Sequence, residues 1–447
     1  MLLDSSDMKA KEEGALRPFS KRLWRSPMPA LDGIRILDMT QYEAGPSCTQ
    51  ALAWLGADVV KVEPPVTGEP GRSLVEGGVY SPYFCNWNAN KRSVALDLNQ
   101  PEGRELFRKI LPQYDVFIEN YGPGITKRFE MEYEQLRAIH PEIIYVELKG
   151  FGSTGPYSDY KSYDMVAQAA SGAFSVTGEA DGIPMLPGPT LGDSGTGTQA
   201  GMAILAAYIQ RLRTGKGQHI ELSMQEAMLY YMRTRLAFLG NWGKNACPRM
   251  GNSMGGAPTG LYACAGGGPN DYLYLITVTQ RHWDALCLAM ERPDFIVDAR
   301  FETGEKRVEN GVALHEEVEL WTRTLDKHDA MKQLCDAGVP CSAIMDTQEL
   351  YEDPHLKERD FIKYVEHPEL GEVPLFGFAT RMSESEVDLE RAPYLGEHTH
   401  EVLAQDLGID ADEIARLQKK GLIGTSPKTK EKFWRKISSW TKRNLKD

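Results

Sequence analysis

From residue 31 onward, short apolar runs alternate with longer amphipathic runs, and this alternation restricts the possible folds more than any other feature of the sequence. A strand-length apolar run followed by a helix-length amphipathic run is typical of a β-α-β unit, whose strands pair in parallel. The predicted strands are 34–37, 58–62, 116–118, 143–148 and 219–222, and the predicted helices are 47–55, 101–111, 133–140, 195–212 and 225–238. The sequence therefore predicts a doubly wound α/β domain around a mostly parallel sheet.

A stretch dense in Gly, Pro and Asn at 240–268 predicts a loop and a domain boundary, and 447 residues exceed what one core usually supports. A strand at 272–278 and helices at 281–290, 314–322 and 327–337 predict a smaller α+β domain. A strand near 375–379 and helices near 399–407 and 412–420 are expected to complete the large domain. The predicted division is an N-terminal extension at 1–30, the large domain at 31–240, the small domain with its linkers at 241–365, a return to the large domain at 366–424 and a basic tail at 425–447.

Charge and cysteine content exclude several classes of protein. With 50 basic and 63 acidic residues the net charge is −13, which argues against a nucleic-acid partner. Seven scattered cysteines without a C-x-x-C pair indicate reduced thiols and a cytoplasmic protein. His398 and His400 have no further ligand residues near them in sequence, so we expect no metal site. No run approaches the ~20 apolar residues of a membrane span, and the first thirty residues lack the apolar core of a signal peptide.

Two short motifs suggest activities that their sequence context opposes. The segment 150–155 matches G-x-G-x-x-G after a predicted strand, but Pro156 and Tyr157 then predict a turn where a dinucleotide-binding motif needs a helix. The segment Gly192-Asp193-Ser194-Gly195 is similar to the surroundings of a serine protease nucleophile. That interpretation needs an activating histidine, and the α/β pattern has none between His140 and His219.

Several blocks, taken in order, resemble the class III CoA-transferases (CaiB/BaiF type), and most closely the formyl-CoA transferase-like members. The blocks cover roughly residues 31–410, which makes them more specific than any single motif. They are LDGIRILD at 31–38, AGP at 44–46, LGADVVKVE at 55–63, NKRS at 90–93, ENYGPG at 119–124, GFG at 150–152, LGDS at 191–194 and APYLGEHT at 392–399.

The resemblance implies that Asp193, in the LGDS block, is the catalytic nucleophile. The residue type suits this role, because a carboxylate can attack a thioester covalently. Its predicted position just before a long helix also suits the role, since the positive end of the helix dipole favours an ionised carboxylate. Without the surrounding blocks, a helix N-cap would explain an aspartate at this position equally well.

The resemblance also implies the reaction and its alternatives. The expected enzyme moves CoA from a short acyl-CoA of formyl, acetyl or succinyl type to a small carboxylic or dicarboxylic acid, through aspartyl anhydride and aspartyl-CoA intermediates. No tightly bound cofactor is implied, and the CoA thioester is a substrate. The family forms interlocked homodimers, which we expect here. An acyl-CoA racemase or isomerase remains an alternative that Tyr163 disfavours, because related racemases have a basic histidine there; a non-catalytic CoA-binding subunit is the other.

The same resemblance assigns the remaining site residues. Against the family pattern, Glu43 replaces a glutamine that faces the intermediate, and an ionised Glu43 would repel a small dianion such as oxalate. Met254 and Ala257 replace glycines of a loop that closes over the intermediate. Pro64 and Asn99 replace basic residues on the adenine side, for which Arg72 is a possible substitute. The implied substrate-pocket residues are Glu43, Tyr163, Asp164, Gly255 and Gly256, and the implied CoA-binding residues are Tyr42, Leu96, Asn120, Tyr121, Arg128, Lys161 and Met224.

Overall fold

The structure is a computed structural model that describes residues 28–74, 81–253, 255–368 and 370–424. Its strands, in chain order, are β1 Arg35–Met39, β2 Asp58–Glu63, β3 Arg92–Leu96, β4 Val116–Glu119, β5 Ile144–Lys149, β6 Gln218–Ser223, β7 Thr259–Ala263, β8 Tyr272–Ile276, β9 Cys341–Ala343, β10 Ile362–His367, β11 Gly371–Phe376 and β12 Ile423–Gly424. Its α-helices are α1 Ala44–Ala53, α2 Pro82–Asn88, α3 Pro101–Ile110, α4 Ile125–Phe129, α5 Tyr133–Ile139, α6 Asp164–Ala170, α7 Thr196–Thr214, α8 Met224–Phe238, α9 Gln280–Ala289, α10 Gly304–Glu309, α11 Gly311–Thr322, α12 Lys327–Asp336, α13 Glu349–Glu352, α14 Pro354–Glu358, α15 Thr399–Leu407 and α16 Ala411–Lys419.

Seven strands form the central sheet in the order β12-β3-β2-β1-β4-β5-β6. All neighbouring pairs are parallel except β12 with β3, which is antiparallel. The prediction of an α/β fold with a mostly parallel sheet is therefore confirmed. The chain order reverses between β1 and β4, which is the switch point where open α/β sheets bind their ligands, beyond the carboxyl ends of the strands.

The apolar strand runs are explained by burial on both faces of this sheet. Successive side chains of a strand point to opposite faces, so Ile36 packs in one core and Leu37 in the other, and both are fully buried. Helices α1 and α7 cover the Ile36 face, where Cys48 and Ile204 meet the strands. Helices α3, α15 and α16 cover the other face.

Two further sheets lie outside the central one. Strands β7, β8 and β9 form an antiparallel sheet, which packs on α9, α11 and α12 around the buried side chains of Trp283 and Phe295. Strands β10 and β11 pair only with each other within the described chain. The strand expected near 375–379 therefore does not join the central sheet; β12 makes the return to it instead, beside Leu96. The domain boundaries themselves stay a prediction.

Most helix boundaries agree with the sequence pattern to within three residues, whereas several short strands were missed. Strand β3 begins with Arg92 and Ser93, and these polar side chains shorten the apolar run that would predict a strand. Strand β7 lies inside the segment predicted as a loop. The N-terminal extension through residue 27, Met254 and the basic tail from residue 425 lie outside the described residues. Within those residues, no helix combines the length and apolarity needed to cross a membrane.

Candidate active site

A cavity of about 240 Å³ lies at the switch point of the central sheet, beyond the carboxyl ends of β1, β4 and β5. Most of the predicted site residues meet there, on the loops that leave these strands. Those that line the cavity are Tyr42, Asn120, Tyr121, Lys161, Tyr163, Asp193 and Met224.

The loop after β1 is tied to the loop after β4. The Gln41 amide donates to Asn120 Oδ1, and Asn120 Nδ2 donates to the Gln41 carbonyl, each at 2.8 Å. The next residue, Tyr42, has a left-handed backbone with φ of +62°, which is uncommon for a bulky residue. The Tyr42 amide donates a hydrogen bond to Glu69 Oε2 at 3.1 Å. The Tyr42 ring packs edge-on against the ring of Tyr163, with their centroids 5.6 Å apart. The strained loop therefore presents Tyr42 to the cavity in a fixed position.

A buried cluster of charged residues stabilises the loop after β1 from the core of the central sheet. The fully buried carboxylate of Asp38 accepts hydrogen bonds from Lys91 Nζ at 3.1 Å and from the Thr40 amide at 2.7 Å. Lys61 Nζ donates to the Thr40 carbonyl at 2.7 Å. The cations and hydrogen bonds outweigh burial and hold the pKa of Asp38 far below its ordinary value. Burial lowers the pKa of Lys91 to about 8, against the attraction of Asp38. Asp38, Lys61 and Lys91, one from each of the blocks at 31–38, 55–63 and 90–93, therefore stabilise this loop from within the core.

Arg72 has a structural role rather than the ligand-binding role suggested for it. Its guanidinium forms a two-pronged pair with Glu63, both contacts at 2.7 Å, and lies 3.6 Å from the centroid of the Phe84 ring. Both side chains of the ion pair are fully buried. Ser93 Oγ donates to Glu63 Oε1 at 2.7 Å and accepts from the Gly396 amide at 2.8 Å. Arg72 therefore cannot replace the adenine-side basic residues from this position.

Asp193 lies within a single π-helical turn, Leu191–Gly195, that leads into α7. Such turns concentrate at functional sites. Its backbone amide donates to Asp164 Oδ1 at 3.1 Å, and a side chain on Gly192 would meet that same oxygen at 2.8 Å. Glycine at 192 therefore allows the turn to approach the start of α6 closely. Asp193 is half-buried and reaches the cavity.

The electrostatic surroundings of Asp193 differ from the expectation. Burial, followed by the carboxyl groups of Glu43 and Asp164, raises the pKa of Asp193 to about 8. The residue lies inside the helical turn rather than ahead of it, and the favourable helix dipole is outweighed by two like charges. In the chain without ligand, the protonated form of Asp193 predominates at neutral pH.

Glu43 is buried beside this aspartate at the N-cap of α1. Its Oε1 accepts a hydrogen bond from Thr190 Oγ1 at 2.5 Å. Burial raises the pKa of Glu43, with a contribution from Asp164, while hydrogen bonds from Thr190, Tyr83 and Trp87 oppose the rise. Tyr83 was missed by the sequence analysis, because nothing in a lone tyrosine of a short helix predicts a site. Burial and the carboxyl groups of Glu43 and Asp193 place the pKa of Tyr83 far above its ordinary value.

Lys149, on the cavity wall, is another residue that the sequence did not predict. Its Nζ donates to Glu119 Oε1 at 2.7 Å and to the Tyr121 carbonyl at 2.8 Å. Glu119 is fully buried, and burial raises its pKa to about 7 despite the neighbouring ammonium. Lys149 therefore fixes the loop that carries Tyr121.

Four predicted site residues lie away from this cavity. Leu96 is a core residue with 1% exposure, whose side chain packs in the core on one face of the central sheet, and its contact with CoA stays a prediction. Arg128 is exposed on α4, with Nη2 3.4 Å from Asn99 Oδ1. Gly255 and Gly256 line a separate cavity of about 640 Å³ with Glu179 and His315, and Asp193 is not part of that wall.

The two misleading motifs have structural explanations. After β5, Gly152 and Gly155 adopt φ of +82° and +90°, and the next helix begins only at Asp164. This segment therefore has no helix N-terminus in position to hold a pyrophosphate. Ser194 Oγ donates to the Thr190 carbonyl at 2.8 Å, which is a local helical contact. Within the described ranges, no group of three or more His, Cys, Asp or Glu residues has a metal-binding arrangement.

Comparison with known proteins agrees with the fold. A profile of CoA-transferase family III matches residues 31–399. The formyl-CoA:oxalate CoA-transferase of Streptomyces avermitilis is 40% identical over 409 residues, 88% of this chain and 99% of the relative. The enzyme of the same name from Rhodopseudomonas palustris is 38% identical over 415 residues, 88% of this chain and 97% of the relative.

A solved CaiB/BaiF family protein from Brucella suis superimposes with a TM-score of 0.76 at 33% identity, covering 85% of this chain and all of that one. The family match and these relatives, which the chain covers almost from end to end, identify a CoA-transferase. The chain belongs to CoA-transferase family III.

Proposed function

We propose that this chain moves coenzyme A from a short acyl-CoA to a small carboxylate, with Asp193 as the covalent nucleophile. The observation that carries the proposal is the position of Asp193, which lines the cavity together with Tyr42, Asn120, Tyr121 and Lys161. A carboxylate at that position can attack a thioester whose CoA portion follows the cavity wall.

The reaction conserves the thioester bond through four exchanges. The Asp193 carboxylate attacks the acyl carbon, and the CoA thiolate leaves to give an acyl-aspartyl anhydride. The thiolate attacks the aspartyl carbonyl and the first acid leaves, which forms the aspartyl-CoA thioester. The second acid attacks that thioester, giving a new anhydride and the thiolate. The thiolate then attacks the new acyl carbon, and Asp193 is released as a carboxylate.

The proposed substrates are a short acyl-CoA and a small acid. The donor is a formyl-, acetyl- or succinyl-type acyl-CoA, and the acceptor is a carboxylic or dicarboxylic acid of similar size. The names of the relatives, which specify formyl-CoA and oxalate, support a short donor and a small acid. No cofactor beyond the CoA thioester enters the mechanism.

We also propose that two copies assemble as an interlocked homodimer in the cytoplasm. Large apolar side chains on α7 and α8 face solvent in the single chain, among them Leu212 at 70% and Phe238 at 79% exposure. A second copy would cover such a surface. All seven cysteines are unpaired, including Cys335 and Cys341 with sulfurs 3.6 Å apart, which fits a reducing compartment.

An isotope-exchange assay tests the proposed reaction. Unlabelled acyl-CoA is incubated with the corresponding carbon-13-labelled free acid, and label entering the acyl-CoA is measured. The wild-type protein exchanges label and Asp193→Ala does not, while Ser194→Ala retains exchange. Exchange that survives Asp193→Ala would refute the assigned nucleophile.

The same samples distinguish the alternative activities. A racemase or isomerase would bring solvent deuterium to the α-carbon without moving CoA between acids. A non-catalytic CoA-binding subunit would bind the thioester and catalyse neither process. Either result would contradict the proposed transfer.

A further inference from the structure

Three carboxyl groups lie close together at the proposed nucleophile. Asp193 reaches the cavity, and its amide donates to Asp164 Oδ1 at 3.1 Å. Thr190 joins Glu43 to the same turn, because Thr190 Oγ1 donates to Glu43 Oε1 at 2.5 Å and the Thr190 carbonyl accepts from the Asp193 amide at 3.2 Å. Glu43 and Asp164 are 4% and 7% exposed, so solvent screens them weakly. The nucleophile is therefore flanked by two poorly screened carboxyl groups.

No lysine, arginine or histidine in the described part of the chain forms an ion pair or hydrogen bond with Glu43, Asp164 or Asp193. Lys149 and Lys161 line the cavity with Asp193, but Lys149 is paired with Glu119 and Lys161 is exposed to solvent. The groups that face Glu43 are neutral or acidic: Tyr83 and Trp87 from α2, Thr190 from the loop before the π-helical turn, and Asp164 from α6. The buried Lys91 is likewise paired elsewhere, with Asp38.

We infer that Glu43 sets the substrate class of this enzyme by selecting acids with a single carboxylate and an uncharged remainder over dicarboxylates. The inference rests on the proposed function and narrows its acid from carboxylic or dicarboxylic to monocarboxylic.

The selection acts on the step in which the second acid enters. Once Asp193 carries CoA as a thioester, its own charge is gone, and an incoming acid faces Glu43 and Asp164. A monocarboxylate brings one negative charge, which is used in the attack on the thioester. A dicarboxylate brings a second charge that is not consumed and stays beside the two buried carboxyl groups. Because like charges at short range in a weakly screened site repel strongly, the dianion enters less readily.

Matched acids that differ by one charge test this inference. Succinate and its monoamide succinamate have nearly the same shape, as do oxalate and oxamate, so their comparison isolates the second charge. With acetyl-CoA and formyl-CoA as donors at mildly alkaline pH, kcat/KM should favour each monoamide over its dicarboxylate by about tenfold or more. In Glu43→Gln, which keeps the acceptor oxygen for Thr190, the ratio should fall several-fold towards one.

Two variants control for indirect effects. Glu43→Asp keeps the charge and should keep the preference for the monoamides even if overall activity falls. Glu134→Gln makes the same chemical change on the exposed surface of α5 and should leave the ratio unchanged. A wild-type enzyme that uses the dicarboxylates as well as the monoamides, or an unchanged ratio in Glu43→Gln, would overturn this inference alone. Absence of transfer with both donors and all four acids would overturn the proposed function, and the inference with it.

Discussion

The carboxyl group of Asp193 is held in surroundings that disfavour its charged form. Its pKa is raised to about 8 by burial and by the carboxyl groups of Glu43 and Asp164. The proposed attack on a thioester needs the carboxylate, so the fraction of enzyme ready to react depends on pH near neutrality. This dependence gives two predictions at the scale of single residues.

The first concerns the rate of acylation. Because a raised pKa keeps Asp193 protonated below about 8, the single-turnover rate of thioester loss should rise nearly tenfold per pH unit up to that value and then level off. Glu43→Gln removes one repelling charge and should move the midpoint to lower pH. Rapid-quench measurements across the neutral and mildly alkaline range check both effects. A profile that is flat between pH about 6 and about 8 would contradict the assignment.

The second concerns stability. Between the ordinary pKa of an aspartate and about 8, the folded state retains a proton on Asp193 that the unfolded chain has released. The contribution of Asp193 to the free energy of unfolding therefore falls as pH rises through that interval. Above about 8 the whole destabilising effect of its buried charge is present. Asp193→Asn should stabilise the fold by about 1–2 kcal/mol at alkaline pH and by little in acid. Urea unfolding at two pH values, with Ser194→Ala as the neighbouring control, measures the difference.

At the scale of elements, the contact between α1 and α7 fixes the distance between Glu43 and Asp193. Glu43 caps α1, and Asp193 lies in the turn that leads into α7. The helices touch at Gly197, where an added side-chain carbon would lie 2.1 Å from Ser47 Oγ and 2.6 Å from the Ala44 carbonyl. One turn further along α7, Gly201 has 3.9 Å of clearance to Cys48 Sγ.

These two glycines give a matched pair of variants. Gly197→Ala should force the helices apart, lower kcat by about a hundredfold through misplacement of Asp193, and cost about 2–3 kcal/mol of stability. Gly201→Ala should fold and react normally, because its side chain fits and alanine favours a helix. Transfer assays and urea unfolding distinguish the two. Equal activity of the two variants would show that the α1–α7 contact does not position the nucleophile.

The elements also show how far sequence reasoning could reach. Periodicity predicted β1, β2, β4 and β5, because both faces of these strands are buried and their runs are apolar. It missed β3, whose polar residues are satisfied by partners distant in sequence, such as the Gly396 amide, which donates to Ser93 Oγ. Long-range pairing of this kind leaves no local pattern.

The candidate site was predictable only in part for the same reason. The resemblance placed Tyr42, Asn120, Tyr121, Lys161 and Asp193, and the structure brings all five to one cavity. Which carboxyl groups surround Asp193, and whether Arg72 is free or paired, depend on distances that only the folded chain defines. The roles of the site residues stay predictions until variants are measured.

At the scale of the whole molecule, the chain closes its central sheet with a segment from its far end. The side chain of Thr399, at the start of α15, is fully buried and accepts a hydrogen bond from the Ala95 amide at 3.0 Å. It also donates to the Gly396 carbonyl at 2.9 Å. Strand β12 then pairs with β3 on the outer edge. The APYLGEHT block therefore stabilises the edge of the central sheet through its hydrogen bonds to β3.

Replacing Thr399 tests how much its hydrogen bond to the Ala95 amide stabilises the fold. Thr399→Val keeps the shape but leaves the buried Ala95 amide unpaired, so the free energy of unfolding should fall by about 1–3 kcal/mol. Thr399→Ser retains the hydroxyl and should lose less. Urea unfolding of both variants gives the comparison, and a valine variant as stable as the serine variant would show that the hydrogen bond does not matter.

Covalent attachment of CoA to Asp193 is the central claim, and trapping that adduct tests it most directly. The protein is mixed with an acyl-CoA, treated with hydroxylamine or borohydride, digested and analysed by mass spectrometry. Thioester or anhydride at Asp193 would give a hydroxamate with hydroxylamine and the corresponding alcohol with borohydride, on the peptide that contains residue 193 and nowhere else. An unmodified Asp193 peptide after treatment with every thioester that the enzyme turns over, or modification of another residue, would contradict the account.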